Sequence, residues 1–192
     1  MKIKDFLKQI QLPIFTAEQA NRILPETEKA QANVQFSRWM KRGELRGLRR
    51  GLYMRVDRTI DEMVVANSLY QPSYISMETV LNTAGIMPDV SAEVTSITTG
   101  RPKKYITENG VFSYSKIARS LFFYEHLVES KIDGYMYKIA SPEKALLDWM
   151  YVRRVHDLTS SRIGWNNLDG RQLIHLSKSY PNWVRKEIAQ YV

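Results

Sequence analysis

Cations crowd beside amides between Gln31 and Arg50, where the chain carries Gln31, Gln35, Arg38, Lys41, Arg42, Arg46, Arg49 and Arg50. An arginine can bind guanine O6 and N7 with two hydrogen bonds, and a glutamine can bind adenine N6 and N7. A helix face holding both types is therefore equipped to read base edges in a major groove. Arg49-Arg50-Gly51 reads as a turn, and two guanidiniums at an exposed turn suit phosphate or a minor groove better than a protein core. These eight residues form the candidate DNA-contacting set. An ordinary solvated helix face is the competing explanation for the helical members.

The charge distribution singles out the same region. Residues 1–58 hold 13 Lys and Arg against 6 Asp and Glu, a balance of +7, whereas residues 59–192 hold 15 against 14, a balance of +1. Nearly all of the net charge of +8 thus lies in the first third of the 192 residues. Confined in this way, it creates a local positive potential and implies a polyanionic partner.

The elements that must position these cations can be read around them. Ile3, Phe6, Leu7 and Ile10 have the spacing of one helical face, and Pro13 stops that helix. Thr16 with Gln19 is a capping box for a second helix, which Leu24-Pro25 closes. A third helix begins between Thr27 and Asn33 and ends at Gly43, a residue suited to the left-handed position past a helix C-terminus. On its wheel Ala32, Phe36, Trp39 and Met40 form the core side. Gln31, Val34, Arg38 and Lys41 lie opposite, with Gln35 and Arg42 on the flanks. Leu45, Leu48, Leu52, Met54 and Val56 are the apolar residues of two short strands joined at Arg49-Arg50-Gly51. Tyr53 is expected in the hydrophobic base of this hairpin. Helices followed by a basic hairpin are the parts of a DNA-binding winged helix, here residues 1–58.

Residues 59–192 read as a mixed α+β domain with antiparallel strands and a helical C-terminus. A linking helix starts near Asp61 and stops at Pro72, and Ser76 is placed to cap a helix from Met77 that Gly85 ends. Residues 92–99 alternate apolar and hydroxyl side chains as a strand does, with Val94 and Ile97 out of phase. Asn109-Gly110 and Asp133-Gly134 mark two hairpins, the first as a type I' turn. Ser141-Pro142 opens a helix running to about Arg154, and further helices start near Asp169 and Asn182. Arg101, Lys103 and Lys104 follow Gly100 as the one basic cluster of this domain. They read either as a solvated turn or as a second functional surface.

Several chemistries are excluded or disfavoured. The chain has no cysteine, so disulfides, Cys-ligated zinc and thiol catalysis are out. His126, His156 and His175 lack metal-ligand spacing, and Gly43, Gly47 and Gly51 recur without the ending of a Walker loop. Asp89 with Glu129 and Lys131 mimics a nuclease set, but such acids must converge on one metal from adjacent strands, and these stand 40 residues apart. No enzyme activity, metal or cofactor is expected. Residues 1–10 mix Lys and Asp with apolar side chains, unlike a secretory leader, and no apolar run is long enough to span a membrane, so a cytoplasmic protein is expected.

The run from Phe36 through Leu45 and from Leu48 to Tyr53, with Pro72-Ser73-Tyr74-Ile75-Ser76-Met77-Glu78, Thr95-Ser96-Ile97-Thr98-Thr99-Gly100-Arg101-Pro102 and Ala140-Ser141-Pro142-Glu143-Lys144-Ala145-Leu146-Leu147-Asp148, resembles the AbiEi antitoxins of bacterial abortive-infection toxin–antitoxin systems. The resemblance covers most of the chain from about Phe15 to Tyr151. It implies a phage-defence antitoxin that represses its own operon at inverted repeats in promoter DNA and counters a nucleotidyltransferase-like toxin without a stable complex. It also implies a monomer in solution with more than one copy on DNA. Arg101, Lys103 and Lys104 would then be a second nucleic-acid contact or part of an antitoxin surface. The alternative is a winged-helix regulator with a sensing or dimerising second domain and no toxin.

Overall fold

The computed structural model describes residues 1–88, 91–122, 127–132 and 135–192; at Lys29 and over 128–132 it describes the backbone alone. The chain divides into two compact units, Met1–Asp61 and Glu62–Val192.

In the first unit the order is α1 (Ile3–Gln9), β1 (Ile14–Thr16), α2 (Ala17–Asn21), α3 (Glu26–Lys29), α4 (Ala32–Lys41), β2 (Leu45–Arg49) and β3 (Leu52–Arg55). The strands form an antiparallel sheet in the order β1-β3-β2. Thr16 and Gln19 make the reciprocal capping box, Thr16 Oγ1 accepting from the Gln19 N–H at 3.1 Å and Gln19 Oε1 from the Thr16 N–H at 2.8 Å. The third helix expected from between Thr27 and Asn33 is α4, beginning at Ala32; a separate short helix, α3, precedes it, with the chain turning at Ala30 and Gln31 between them. Strand β1 has no counterpart in the sequence reading. Three residues are too few to show a period, and its pairing of Phe15 with Tyr53 spans most of the unit.

The core of this unit is aromatic. Phe6 lies 5.0 Å from Trp39 and 5.5 Å from Phe15, and Phe36 lies 4.9 Å from Tyr53, centroid to centroid. Offset and edge contacts of this kind add to the stabilisation that burial of the rings already provides. Tyr53 is buried among them, and burial raises its phenol pKa.

The second unit runs α5 (Glu62–Leu69), β4 (Ser73–Ile75), α6 (Glu78–Thr83), β5 (Val94–Thr98), β6 (Lys103–Thr107), β7 (Gly110–Lys116), β8 (Leu127–Ile132), β9 (Tyr135–Ala140), α7 (Pro142–Arg153), α8 (Gly170–Ser177) and α9 (Asn182–Ile188). Its six strands lie in the order β6-β7-β5-β4-β9-β8, a mixed sheet in which β5 pairs β7 and β4 pairs β9 in parallel while the other neighbours are antiparallel. The fold is thus α+β. Among the described residues no helix is long and apolar enough to cross a membrane.

Two readings of the second unit change, one gains its reason and one strand is new. All five residues of β5 are buried, so Val94 and Ile97 need not share a face; a central strand covered on both sides has no polar face to keep in phase. The first hairpin pairs Thr107 with Gly110, which moves its tip to Glu108-Asn109 and leaves Gly110, at φ +129°, as the first strand residue. Thr107 Oγ1 accepts from the Asn109 N–H at 3.1 Å and holds that tip. Ser76 does not cap α6; its hydroxyl is used elsewhere, and Met77 occupies the cap position at φ 59°. Strand β4, between the linking helix and α6, was not legible either. The turn expected at Asp133-Gly134 lies outside the described residues, but β8 and β9 on either side pair antiparallel up to Ile132 and Tyr135.

Candidate nucleic-acid interface

Helix α4 and the β2–β3 hairpin present the N-terminal cations, and local chemistry fixes how one follows the other. Gly43 takes φ +69°, its N–H donates to the Met40 carbonyl at 3.0 Å, and the Glu44 N–H reaches back to the Trp39 carbonyl at 2.9 Å. This double closure turns the chain sharply out of α4 into β2. Gly47 then lets the strand approach the helix, since a Cβ there would stand 3.0 Å from Met40 Sδ. A β-bulge follows between Gly47 and Arg49 and brings Arg49 opposite Leu52 at the tip.

On this frame Gln31, Val34, Arg38, Lys41 and Arg42 are exposed, while Ala32, Phe36 and Trp39 are buried and Met40 is half-buried. Arg49 and Arg50 are exposed at the hairpin tip, with Arg49 Nη1 donating to the Arg50 carbonyl at 3.4 Å. Two members of the candidate set depart from a solvent-facing role. Gln35 is half-buried and its Nε2 donates to the Met1 carbonyl at 3.3 Å, so its amide joins α4 to the start of the chain. Arg46 is half-buried on β2, between the buried Leu45 and the exposed Gly47. The surface that can meet a groove therefore centres on Gln31, Arg38, Lys41, Arg42, Arg49 and Arg50.

One N-terminal cation has a structural task that sequence reasoning missed. Arg55 is buried; its Nη1 donates to the carbonyls of Leu7 at 3.0 Å and Ile10 at 3.2 Å, and its Nε and Nη2 bind Asp57 at 2.8 and 2.6 Å. The guanidinium fastens the end of α1 to β3, and its hydrogen bonds hold the Asp57 carboxyl below its ordinary pKa. Strand β3 accordingly ends at Arg55, and Val56, expected among the apolar strand residues, is exposed. The sequence signal, an Arg two residues before an Asp, is too common to have revealed the carbonyl contacts.

In the second unit Arg101, Lys103 and Lys104 are exposed where β5 turns into β6. Lys104 Nζ lies 2.6 Å from Glu93 Oε2, and this bond lowers the Glu93 pKa; Lys103 Nζ stands 4.8 Å from the ring centre of Tyr105. Part of the cluster's charge is thus answered within the unit.

The most polar buried place lies elsewhere, on α7. Ser141 Oγ caps the helix from the Lys144 N–H at 3.2 Å and Pro142 fills the first turn, which sets Lys144 and Asp148 one turn apart, both fully buried. Lys144 Nζ donates to Asp148 Oδ1 at 2.5 Å, to Tyr74 OH at 2.7 Å and to Tyr180 OH at 2.9 Å. Asp148 also accepts from Ser76 Oγ at 2.8 Å, Tyr74 OH at 2.9 Å and Tyr180 OH at 2.6 Å. Burial lowers the Lys144 pKa, Asp148 opposing it, and burial together with the Asp148 charge pushes both tyrosines well above their ordinary value. The network joins β4, α7 and Tyr180 in the turn between α8 and α9, and its members satisfy one another. Its chemistry is that of a closed polar core.

The remaining titratable candidates are scattered. His156 is exposed with its ring 4.1 Å from that of Trp183, His175 is exposed on α8, and His126 lies outside the described residues. Asp89 also lies outside them, as does the side chain of Glu129, whose backbone pairs with Lys138. Among the described residues no group of three His, Cys, Asp or Glu could hold a metal ion. No protein-family model matches this chain, and no curated protein matches it in sequence.

Proposed function

We propose that the chain is a non-enzymatic, DNA-binding antitoxin of an abortive-infection system. Its N-terminal unit would act as a winged helix that represses its own operon, and its second unit would carry the function that counters a nucleotidyltransferase-like toxin. One observation carries the DNA-binding half: the exposed face of α4, with Gln31, Arg38 and Lys41, stands next along the chain to a hairpin whose tip exposes Arg49 and Arg50. Such a helix suits a major groove, and such a tip suits the neighbouring phosphates. Arg42 at the end of α4 adds a further backbone contact.

The antitoxin half rests on the family resemblance. The segments that carry it in the second unit supply Tyr74 and Ser76 from one motif and Lys144 and Asp148 from another, and these four side chains belong to one buried network. Motifs that pack together in this way support a shared architecture.

The test is binding of the full chain to duplex DNA from upstream of its own gene, with expression of a reporter from that promoter. Tight binding and repression are expected. Arg38→Ala should weaken binding by about 1–3 kcal/mol and relax preference at one base pair. Equal affinity for the promoter and for unrelated duplexes would refute the repressor reading. Co-expression with the nucleotidyltransferase-like protein encoded beside it tests the antitoxin half, with restored growth expected and continued toxicity counting against it.

A further inference from the structure

The DNA-facing side of α4 contains a residue that electrostatics does not account for. Val34 is 52% exposed, among arginines, lysines and amides. Of the described large apolar residues in the N-terminal unit, Leu12, Val34 and Val56 are exposed, and within that group only Val34 lies on a helix. Single exposed apolar side chains are ordinary on protein surfaces. Position is what distinguishes this one. Val34 lies one turn before Arg38 and two before Lys41, on the same face, in the first turn of α4. A β-branched residue is also a poor choice for a solvated helix position on conformational grounds, since it loses rotamer freedom there.

Within a major groove there is one apolar group for such a side chain to meet, the C5-methyl of thymine. We infer that Val34 is a specificity-determining residue that packs on a thymine methyl. This inference rests on the proposal that α4 enters a major groove. It adds that the site reads thymine by apolar contact as well as by hydrogen bonds. Four residues of helix rise about 6 Å, or about two base-pair steps, so the thymine should lie within about two base pairs of the base that Arg38 contacts.

The experiment uses the full chain and a duplex that it has itself selected from a random library. Each thymine of that duplex is replaced in turn by deoxyuridine, which removes the methyl and leaves every hydrogen-bonding group in place. One thymine per bound copy is expected to weaken binding about fourfold when replaced, the effect of one buried methyl. In Val34→Ser, whose change is on the surface and spares the core, the same replacement should have no effect. Insensitivity at every thymine would overturn the assignment of Val34 while leaving α4 as the reading helix, and so would a fourfold effect that persists in Val34→Ser. Failure to select any sequence would overturn both the assignment and the base-reading role of α4.

Discussion

In the N-terminal unit the guanidiniums of Arg38, Arg49 and Arg50 stand in solvent around a core of Phe6, Phe15, Phe36, Trp39 and Tyr53. In the second unit Lys144 and Asp148 meet at the centre, and the charge outside is nearly balanced. Cations concentrated on an exposed surface are open to a partner, whereas charges buried against each other serve the packing of the chain that holds them. The difference separates a surface open to solvent from a polar core closed on itself. It also warns against treating every motif of charged residues as a site, since Lys144 and Asp148 lie in one of the segments that carry the family resemblance and are fully buried against each other.

The contrast breaks most easily at Asp148. Asp148→Ala leaves the Lys144 ammonium buried without its carboxylate and should lower stability by about 3–5 kcal/mol in denaturant unfolding. Replacing both partners, Lys144→Met with Asp148→Leu, should recover part of that loss, because two buried charges go together. A double variant no more stable than the single one would show that the pair is not the source. Trp39→Ala should cost a similar amount by another route, the cavity left among Phe6 and Phe36. A near-neutral effect would place Trp39 outside the core and shift the face that α4 leaves exposed.

A smaller effect lies in alkali. Tyr74 and Tyr180 have raised pKa values in the folded chain, so above pH 10 the unfolded chain sheds these protons while the folded chain keeps them. Their contribution is complete below the ordinary tyrosine pKa and is lost as pH rises towards the folded value. Lys144 acts in the opposite sense at lower pH: with its folded pKa depressed, its penalty eases as pH climbs towards 10.5. Stability should therefore fall steeply past pH 10, and Tyr180→Phe should make the fall shallower. An unchanged alkaline slope in that variant would mean that Tyr180 does not keep its proton.

What was legible in the sequence was local. The Thr16–Gln19 box, the Gly43 helix end, the Ser141-Pro142 start and the helix start near Asp169 each depend on residues a few positions apart, and each forms. The core side of α4 followed from its period, since Ala32, Phe36 and Trp39 repeat at helical spacing. Strands β1 and β4 were not legible, being three residues each and defined by partners far along the chain. Nor was the polar core, because most of α7 is buried and shows no apolar stripe, and because Tyr74 and Tyr180 approach Lys144 from 70 and 36 residues away. At the candidate interface, composition marked out a stretch but could not tell an exposed Arg38 from a half-buried Arg46 or a clamped Arg55.

The salt dependence of DNA binding tests the central claim most directly. Each phosphate neutralised by a cation steepens the fall of log K with log salt by about 0.9. The full chain and its Arg49→Ala, Arg50→Ala double variant should therefore differ in slope by nearly 2 on any duplex, with little change in sequence preference. Equal slopes would contradict the account, for they would mean that the hairpin tip of the N-terminal unit does not touch the DNA backbone.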